Sequence, residues 1–182
     1  AASDVYKRQG MYLVDLKKWR EEKVEDKIIK RIHEQNGNVF FFEQTLMNWS
    51  CSGKILQLPP KYNAYTLFWA FTYKNLICWR KPNAFYLESE VEEAKDNPII
   101  IHFTRNFYML SRPWIKGCDH PKTKEYVKYK LLTPWKQLEE DNRSKKSIRR
   151  YKLWHIIPQR ILAIGAGVIY NEVRPKLWWK NE

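Results

Sequence analysis

The residues most suited to chemistry stand in Pro98-Ile99-Ile100-Ile101-His102-Phe103-Thr104, with Arg112-Pro113-Trp114 a short loop later. A run of β-branched residues behind a proline predicts a buried strand, and a histidine at its carboxyl end would project into the crevice where α/β sheets bind ligands. That is a metal-ligand position, since imidazole is a frequent protein donor to metals. Cys118-Asp119-His120 could also contribute to a metal site, but one Cys and one His do not make a zinc cage.

The elements that must position these groups read as α/β first and helical later. Met11 to Leu16 predicts a strand, and Lys17 to Asn36 a helix with Val24, Ile28 and Ile32 at i, i+4 spacing and Gly37 as its stop. A short helix is expected over Glu43 to Trp49, then a strand over Ile55 to Leu58 that Pro59-Pro60 ends. Residues 62–87 hold many aromatics without a clear period, and no elements are assigned there. Glu88 to Asn97 predicts an exposed acidic helix ending before Pro98, followed by the His102 strand, and Lys122 to Leu132 predicts another helix stopped by Thr133-Pro134-Trp135.

With 182 residues and 44% hydrophobic composition, the chain can bury one domain core with some peripheral structure. A net charge of +13 favours polyanionic partners: nucleic acid, an anionic membrane or phosphorylated substrates. Cys51, Cys78 and Cys118 are odd in number and widely spaced, which argues against a disulfide framework and fits a reducing compartment. Asp4-Val5-Tyr6-Lys7-Arg8-Gln9 is the translation of a transposon end used in sequencing libraries. Residues 1–9 are therefore expected to be adapter read-through, outside the fold.

Three blocks together resemble glycosyltransferase family 8. The strand Pro98 to Thr104 with Arg112-Pro113-Trp114 is similar to the end of that family's catalytic domain. Gly10-Met11-Tyr12-Leu13-Val14-Asp15-Leu16-Lys17-Lys18-Trp19-Arg20 is similar to its Asn-small-Gly strand running into a Leu-Lys-Lys-Trp-Arg helix. Glu43-Gln44-Thr45-Leu46-Met47-Asn48 and Leu58-Pro59-Pro60-Lys61-Tyr62-Asn63 are similar to its Asp-Gln-x-x-Leu-Asn and Leu-Pro-x-x-Tyr-Asn. The resemblance implies a retaining, manganese-dependent transferase that uses nucleotide sugars, and the carboxyl-terminal part of a GT-A type fold. In the family an Asp-x-Asp metal motif precedes the block at Gly10. No Asp-x-Asp occurs in this chain, so the metal's carboxylate ligands are expected upstream.

The same resemblance implies roles for individual residues. His102 would join the absent carboxylates around Mn2+, a donor set that suits manganese, with the ion acting as Lewis acid on the departing diphosphate. Arg112 replaces the family's usual lysine and would clamp the diphosphate bidentately, with Thr104 beside it. Arg105 stands where the family commonly has glycine, which lets backbone approach phosphate; the arginine either adds a charge contact or turns outward. Gln44 would stabilise the cationic sugar through its carbonyl oxygen in a same-face substitution, a neutral amide being a poor nucleophile. Glu43, one methylene longer than the usual aspartate, would accept from sugar hydroxyls; on composition alone the pair also reads as a helix-capping pair. Asn48 and Trp114 are expected in the acceptor pocket.

From Lys136 onward the composition shifts. Arg143, Lys145, Lys146, Arg149, Arg150 and Lys152 precede an apolar segment, Ile156 to Tyr170, interrupted by Pro158 and Arg160. That segment is too short and too broken to span a bilayer, which needs about 20 apolar residues. It reads either as peripheral attachment, with Trp154, Trp178 and Trp179 at the interface, or as helices packed on the catalytic domain. The expected organisation is therefore read-through over 1–9, the carboxyl-terminal half of a catalytic domain over 10–135, and a basic helical extension over 136–182. The expected activity is hexose transfer from a UDP-sugar to a glycan or glycolipid acceptor, lipopolysaccharide or another surface glycan. It would take place in the cytoplasm or on the inner face of the membrane, with residues 143–182 toward anionic lipid. The alternative is a nucleic-acid-binding or membrane-surface module, because Lys and Arg interleaved with aromatics also suit stacking on single strands. No specific nucleic-acid partner is expected, since nothing resembles the usual recognition modules and the charge concentrates away from the three blocks.

Overall fold

The structure, a computed structural model, describes residues 10–39, 42–80 and 85–173. Residues 1–9, expected as read-through, and Trp178 and Trp179, expected at an interface, lie outside the described residues. The chain divides into two compact units, Ala1–Pro59 and Pro60–Glu182.

The first unit contains α1 (Leu16–Glu21), α2 (Val24–Glu34) and α3 (Glu43–Ser50). The strand expected at Met11 to Leu16 is not formed. Asp15 instead caps α1, its carboxylate accepting from the Lys17 and Lys18 amides at 3.0 and 3.1 Å, so the helix begins at Leu16. The single helix expected over Lys17 to Asn36 is broken at Lys23, whose φ of 50° is left-handed. Beyond the break the predicted stripe holds: Val24 is buried and Ile28 and Ile32 half-buried. Gly37 stops the helix as expected, with φ 78° and its amide donating to the Ile32 carbonyl at 2.9 Å. Among the described residues Ile55 to Leu58 also forms no strand, and Leu56 is almost fully exposed.

The second unit opens with a 3-10 turn (Pro60–Asn63) and β1 (Ala64–Tyr65), followed by α4 (Leu67–Ala70), α5 (Tyr73–Arg80) and α6 (Glu88–Asp96). It continues with β2 (Ile101–His102), α7 (Thr123–Lys130), α8 (Lys145–Ile156) and α9 (Gln159–Val168), and a π-helical turn (Ile169–Val173). β1 and β2 pair in parallel, Ala64 with Ile101 and Tyr65 with His102. Helices with a small parallel sheet are compatible with the expected α/β class.

The core lies where the sequence assigned nothing. Ala64, Leu67, Phe68, Ala70, Phe71, Leu76 and Trp79 are all buried, and Phe71 meets Trp79, Phe107 and Tyr108 at ring separations of 5.3–5.9 Å. α6 adds Val91 and Ala94 from its inner face while its glutamates stay outward. It starts as a capped helix, the Glu90 carboxylate accepting from the Leu87 amide at 2.7 Å. α9 closes the core. Ala163 is fully buried, and a Cβ on Gly167 would stand 3.0 Å from the Trp79 carbonyl oxygen and 3.1 Å from that of Cys78. A side chain at this position would require the α5 backbone to give by a few tenths of an ångström.

Candidate functional site

β2 is shorter and less buried than its β-branched run suggests. Ile99 and Ile100 are exposed and only two residues enter the sheet, in which, among the described residues, β2 has a single partner strand. The expected burial of this strand is thus corrected. The consequence for His102 is favourable to ligation: its ring stands exposed at the strand's carboxyl end, and Nδ1 lies 3.1 Å from Asn63 Oδ1. Metal-ligating histidines are commonly oriented through their second nitrogen in this manner. Asn63 comes from the turn just before β1, so the parallel pairing itself delivers the orienting group.

Thr104 and Arg112 are drawn together by the residue between them in space. Ser111, almost fully buried, donates from Oγ to the Thr104 carbonyl oxygen at 2.8 Å. The intervening loop is held by Asn106, whose Oδ1 accepts from the Tyr108 and Met109 amides at 2.8 and 2.7 Å. Thr104 Oγ1 and Arg112 Nε are both buried, and among the described residues neither has a hydrogen-bond partner. An unsatisfied buried donor is unfavourable by about 1–3 kcal/mol, more when charged, and an anion would satisfy both. Pro113 is fully buried and fixes the chain between the guanidinium and Trp114, whose ring centroid lies 5.6 Å from the Arg112 guanidinium carbon. Arg105 is exposed. Among the described residues, positive φ outside glycine is confined to Lys23, Asn36 and Phe42, so the backbone at Arg105 does not demand glycine.

Beside this segment His120 sits in an aromatic cage, 4.9 Å from the Trp69 ring and 4.7 Å from that of Phe103. Its Nδ1 accepts from the Lys122 amide at 3.1 Å. Burial pushes its pKa down to about 4, against the Asp119 charge, with Lys122 adding to the depression. His120 is therefore a neutral core residue at physiological pH. Cys118 contacts Thr123 at 3.3 Å rather than joining it, and among the described residues no three His, Cys, Asp or Glu converge to hold a metal. His102 can thus supply one ligand of a metal site, and the rest of a set is not found among the described residues.

In the first unit, Glu43 and Gln44 open α3. Phe42 at the N-cap offers no side-chain cap, and Glu43 is exposed. Burial, and then the Glu43 carboxylate, raise the Tyr12 phenol above its ordinary value, which places that charge beside the entry of the chain. Asn48 donates from Nδ2 to the Gln44 carbonyl oxygen at 2.7 Å, so the two lie one turn apart on the same face of α3. Gln44, Glu43 and Asn48 belong to one unit and His102, Thr104, Arg105, Arg112 and Trp114 to the other.

The basic segment is an integral part of its unit. Tyr151 donates to Asp119 Oδ2 at 2.7 Å, and burial with this bond pushes its pKa up to about 12. Gln159 donates to the Ala70 carbonyl oxygen at 3.0 Å and accepts from Asn75 Nδ2 at 2.7 Å. Trp154 packs edge-on against Phe107 at 6.0 Å and is only half-exposed, so it serves the fold rather than standing free for an interface. Lys145, Lys146, Arg149, Arg150 and Lys152 stay exposed, as do Ile161, Ile164 and Val168 on the outer side of α9. Among the described residues no helix is long and apolar enough to cross a membrane.

Sequence reasoning missed the Ser111 tie, the Asn63 partner of His102 and the His120 cage. Asn63 ends the Leu58 to Asn63 block, but only the fold shows that a residue 39 positions earlier meets His102.

Comparison with known proteins agrees with the three blocks. General stress protein A of Bacillus subtilis (strain 168) is 25% identical over 132 residues, 71% of this chain and 42% of that protein. Lipopolysaccharide 1,2-glucosyltransferase of Escherichia coli (strain K12) is 29% identical over 171 residues, 91% of this chain and 45% of that protein. The chain spans less than half the length of the curated relatives it matches. No solved structure matches it. The model of the family described as glycosyl transferase family 8 matches residues 2–116, well over half of the chain, and the chain belongs to that family.

Proposed function

We propose that this chain is the carboxyl-terminal portion of a retaining hexosyltransferase that moves a sugar from a UDP-hexose to a glycan acceptor, a lipopolysaccharide or another surface glycan. The observation that carries the reading is the pair of buried donors, Thr104 Oγ1 and Arg112 Nε, that have no acceptor among the described residues, on a segment closed by Ser111. These would bind the diphosphate, the guanidinium supplying charge and the hydroxyl a hydrogen bond. Arg105, exposed, is left to solvent or to an outer phosphate contact.

His102, held by Asn63, fits one position of a divalent site, with Asp-x-Asp carboxylates outside this chain expected to complete it. When bound, Mn2+ would neutralise charge on the departing diphosphate. Gln44 would set its carbonyl oxygen against the positive charge developing on the sugar ring, with Glu43 accepting from a sugar hydroxyl and Asn48 lining the acceptor side. The bond from the anomeric carbon to the diphosphate breaks, and a bond to the acceptor oxygen forms on the same face. The acceptor's proton passes to the leaving phosphate oxygen. No redox partner is needed.

The exposed lysines and arginines of α8 beside the exposed isoleucines of α9 support a place on the inner, anionic face of a membrane. The test is turnover of UDP-glucose and UDP-galactose by the full-length enzyme that carries this chain, with manganese and with chelator. The configuration of the new linkage would be read by NMR. Metal-dependent transfer with retention is the expected result. An inverted product, or turnover indifferent to chelator, removes the reading.

A further inference from the structure

A groove of about 390 Å3 opens on the second unit between α7 and the segment that follows it. Its walls are Trp114, Tyr126, Tyr129 and Trp135, and Glu139 and Asp141 stand at its rim. Apart from Trp114, all of these lie beyond the residues that match the family.

The groove is built rather than accidental. The Lys130 ammonium donates to the Leu138 carbonyl oxygen, and Thr133 Oγ1 donates to the Lys130 carbonyl oxygen at 2.8 Å. At the far end Asp141 pairs with the strand-like stretch after Trp114: its amide donates to the Trp114 carbonyl oxygen at 2.9 Å and its own carbonyl accepts from the Lys116 amide at 2.9 Å. The segment from Thr133 to Asp141 is thus tied down at both ends. Yet Tyr129 and Trp135 remain 65% and 64% exposed, while Trp114 and Tyr126 line the floor with ring centroids 6.0 Å apart. Large aromatic faces held open to water on a fixed frame are unfavourable unless something covers them.

The chemistry of the rim chooses the occupant. Glu139 and Asp141 are exposed, and among the described residues neither forms an ion pair, although the chain carries a net charge of +13. Two free carboxylates repel phosphate, anionic lipid and nucleic acid, and they accept hydrogen bonds from hydroxyl groups. A neutral saccharide presents a flat C–H face to an aromatic ring and a row of hydroxyls at its edge, and the volume lies within the range of about 300–1,000 Å3 typical of ligand pockets. Lys130 also lines the groove and keeps its charge while donating to the Leu138 carbonyl oxygen, so two carboxylates face one ammonium and the lining stays net negative.

We propose that this groove is a saccharide-binding subsite, with Trp135 and Tyr129 as stacking faces and Asp141 and Glu139 as acceptors for vicinal hydroxyls. It rests on the transferase reading only in taking that saccharide to be part of the acceptor glycan. Trp114 links the two regions, since one ring both lines the groove and lies beside the Arg112 guanidinium.

The experiment titrates the 182-residue chain with maltose and lactose, followed by tryptophan fluorescence and saturation-transfer NMR, with sorbitol as the non-cyclic control. Saturable binding of at least one disaccharide is expected, weakened at least tenfold in Trp135→Ala and in Asp141→Asn while the melting temperature stays within a degree or so of the parent. Absence of binding to either sugar overturns the proposal, as does binding that both variants leave unchanged. Should Trp135→Ala fail to fold, Asp141→Asn decides alone, because the bridge to Trp114 uses the backbone of Asp141. The measurement needs neither donor nor metal. Absence of UDP-hexose turnover by the full-length enzyme, with saccharide binding by the chain intact, therefore removes the proposed reaction and leaves the subsite, whereas turnover without saccharide binding removes the subsite alone.

Discussion

The Ser111 hydroxyl donates to the Thr104 carbonyl oxygen at 2.8 Å and so fixes the spacing between two buried donors that lack acceptors among the described residues. In the full-length enzyme, Arg112→Ala is expected to weaken donor binding by roughly 10–100-fold, the range of a charge-assisted hydrogen bond of about 1.5–3 kcal/mol. Ser111→Ala removes only the tie and should raise the donor KM by roughly fivefold, about 1 kcal/mol. Donor titrations of the two variants check this. Equal affinity in parent and Arg112→Ala would take the guanidinium out of the phosphate site.

The contact between His102 and Asn63 yields a second expectation. His102→Ala should abolish most transfer, and Asn63→Ala, which leaves the ligand in place but frees its ring, should lower manganese affinity by roughly 10–100-fold. The check is the metal concentration needed for half-maximal turnover. An unchanged requirement in both variants would place His102 outside the metal site.

The caged His120 sets a pH dependence of stability. The folded state keeps the ring neutral down to about pH 4, whereas the unfolded chain protonates it near its ordinary value of 6.5. The unfolded state therefore binds more protons between these values. Its contribution is fully present above about pH 6.5 and is lost progressively as pH falls toward 4. The loss is on the order of 3 kcal/mol, at about 1.4 kcal/mol per pH unit across this window. Urea unfolding across this window checks it, and His120→Phe should flatten the curve.

Much of this was legible in the sequence, and what was not has identifiable physical causes. Gly37 as a helix stop, the α3 helix at Glu43 and the α6 helix before Pro98 follow from local chemistry, and local chemistry decided them. The strands at Met11 and Ile55 did not form because β pairing needs a partner that no local run supplies, and Asp15 captured the first of them as a helix cap. The core at residues 64–79 escaped notice because helices buried on most sides show no polar face to mark a period. At the candidate site, residue types pointed to His102 and Arg112, but the ties through Asn63 and Ser111 are products of folding.

The two readings of the basic segment separate by mutation. Gln159→Ala and Gly167→Ala should destabilise the chain by about 1–3 kcal/mol each, the first by orphaning the Ala70 carbonyl and Asn75, the second by forcing a methyl against the Trp79 carbonyl oxygen. Changing Arg149, Arg150 and Lys152 to Ala should leave the melting temperature unaltered but weaken co-sedimentation with anionic vesicles, each charge contributing roughly 1 kcal/mol near the surface. Equal pelleting of parent and triple variant would dismiss the electrostatic role.

The 182-residue chain by itself is expected to catalyse no sugar transfer, since among the described residues no three His, Cys, Asp or Glu come together to hold a metal. Release of UDP from a UDP-hexose by the purified chain, with transfer to an added acceptor, would overturn this.

The contact at Gly167 also governs orientation. α9 lies so near the Trp79 carbonyl that turning the helix about its own axis would drive a side chain into backbone, so the residues it shows outward are dictated by the residues it hides. Ile161, Ile164 and Val168 therefore form a fixed keel. Any flat surface that α9 meets would hold this unit in a single pose.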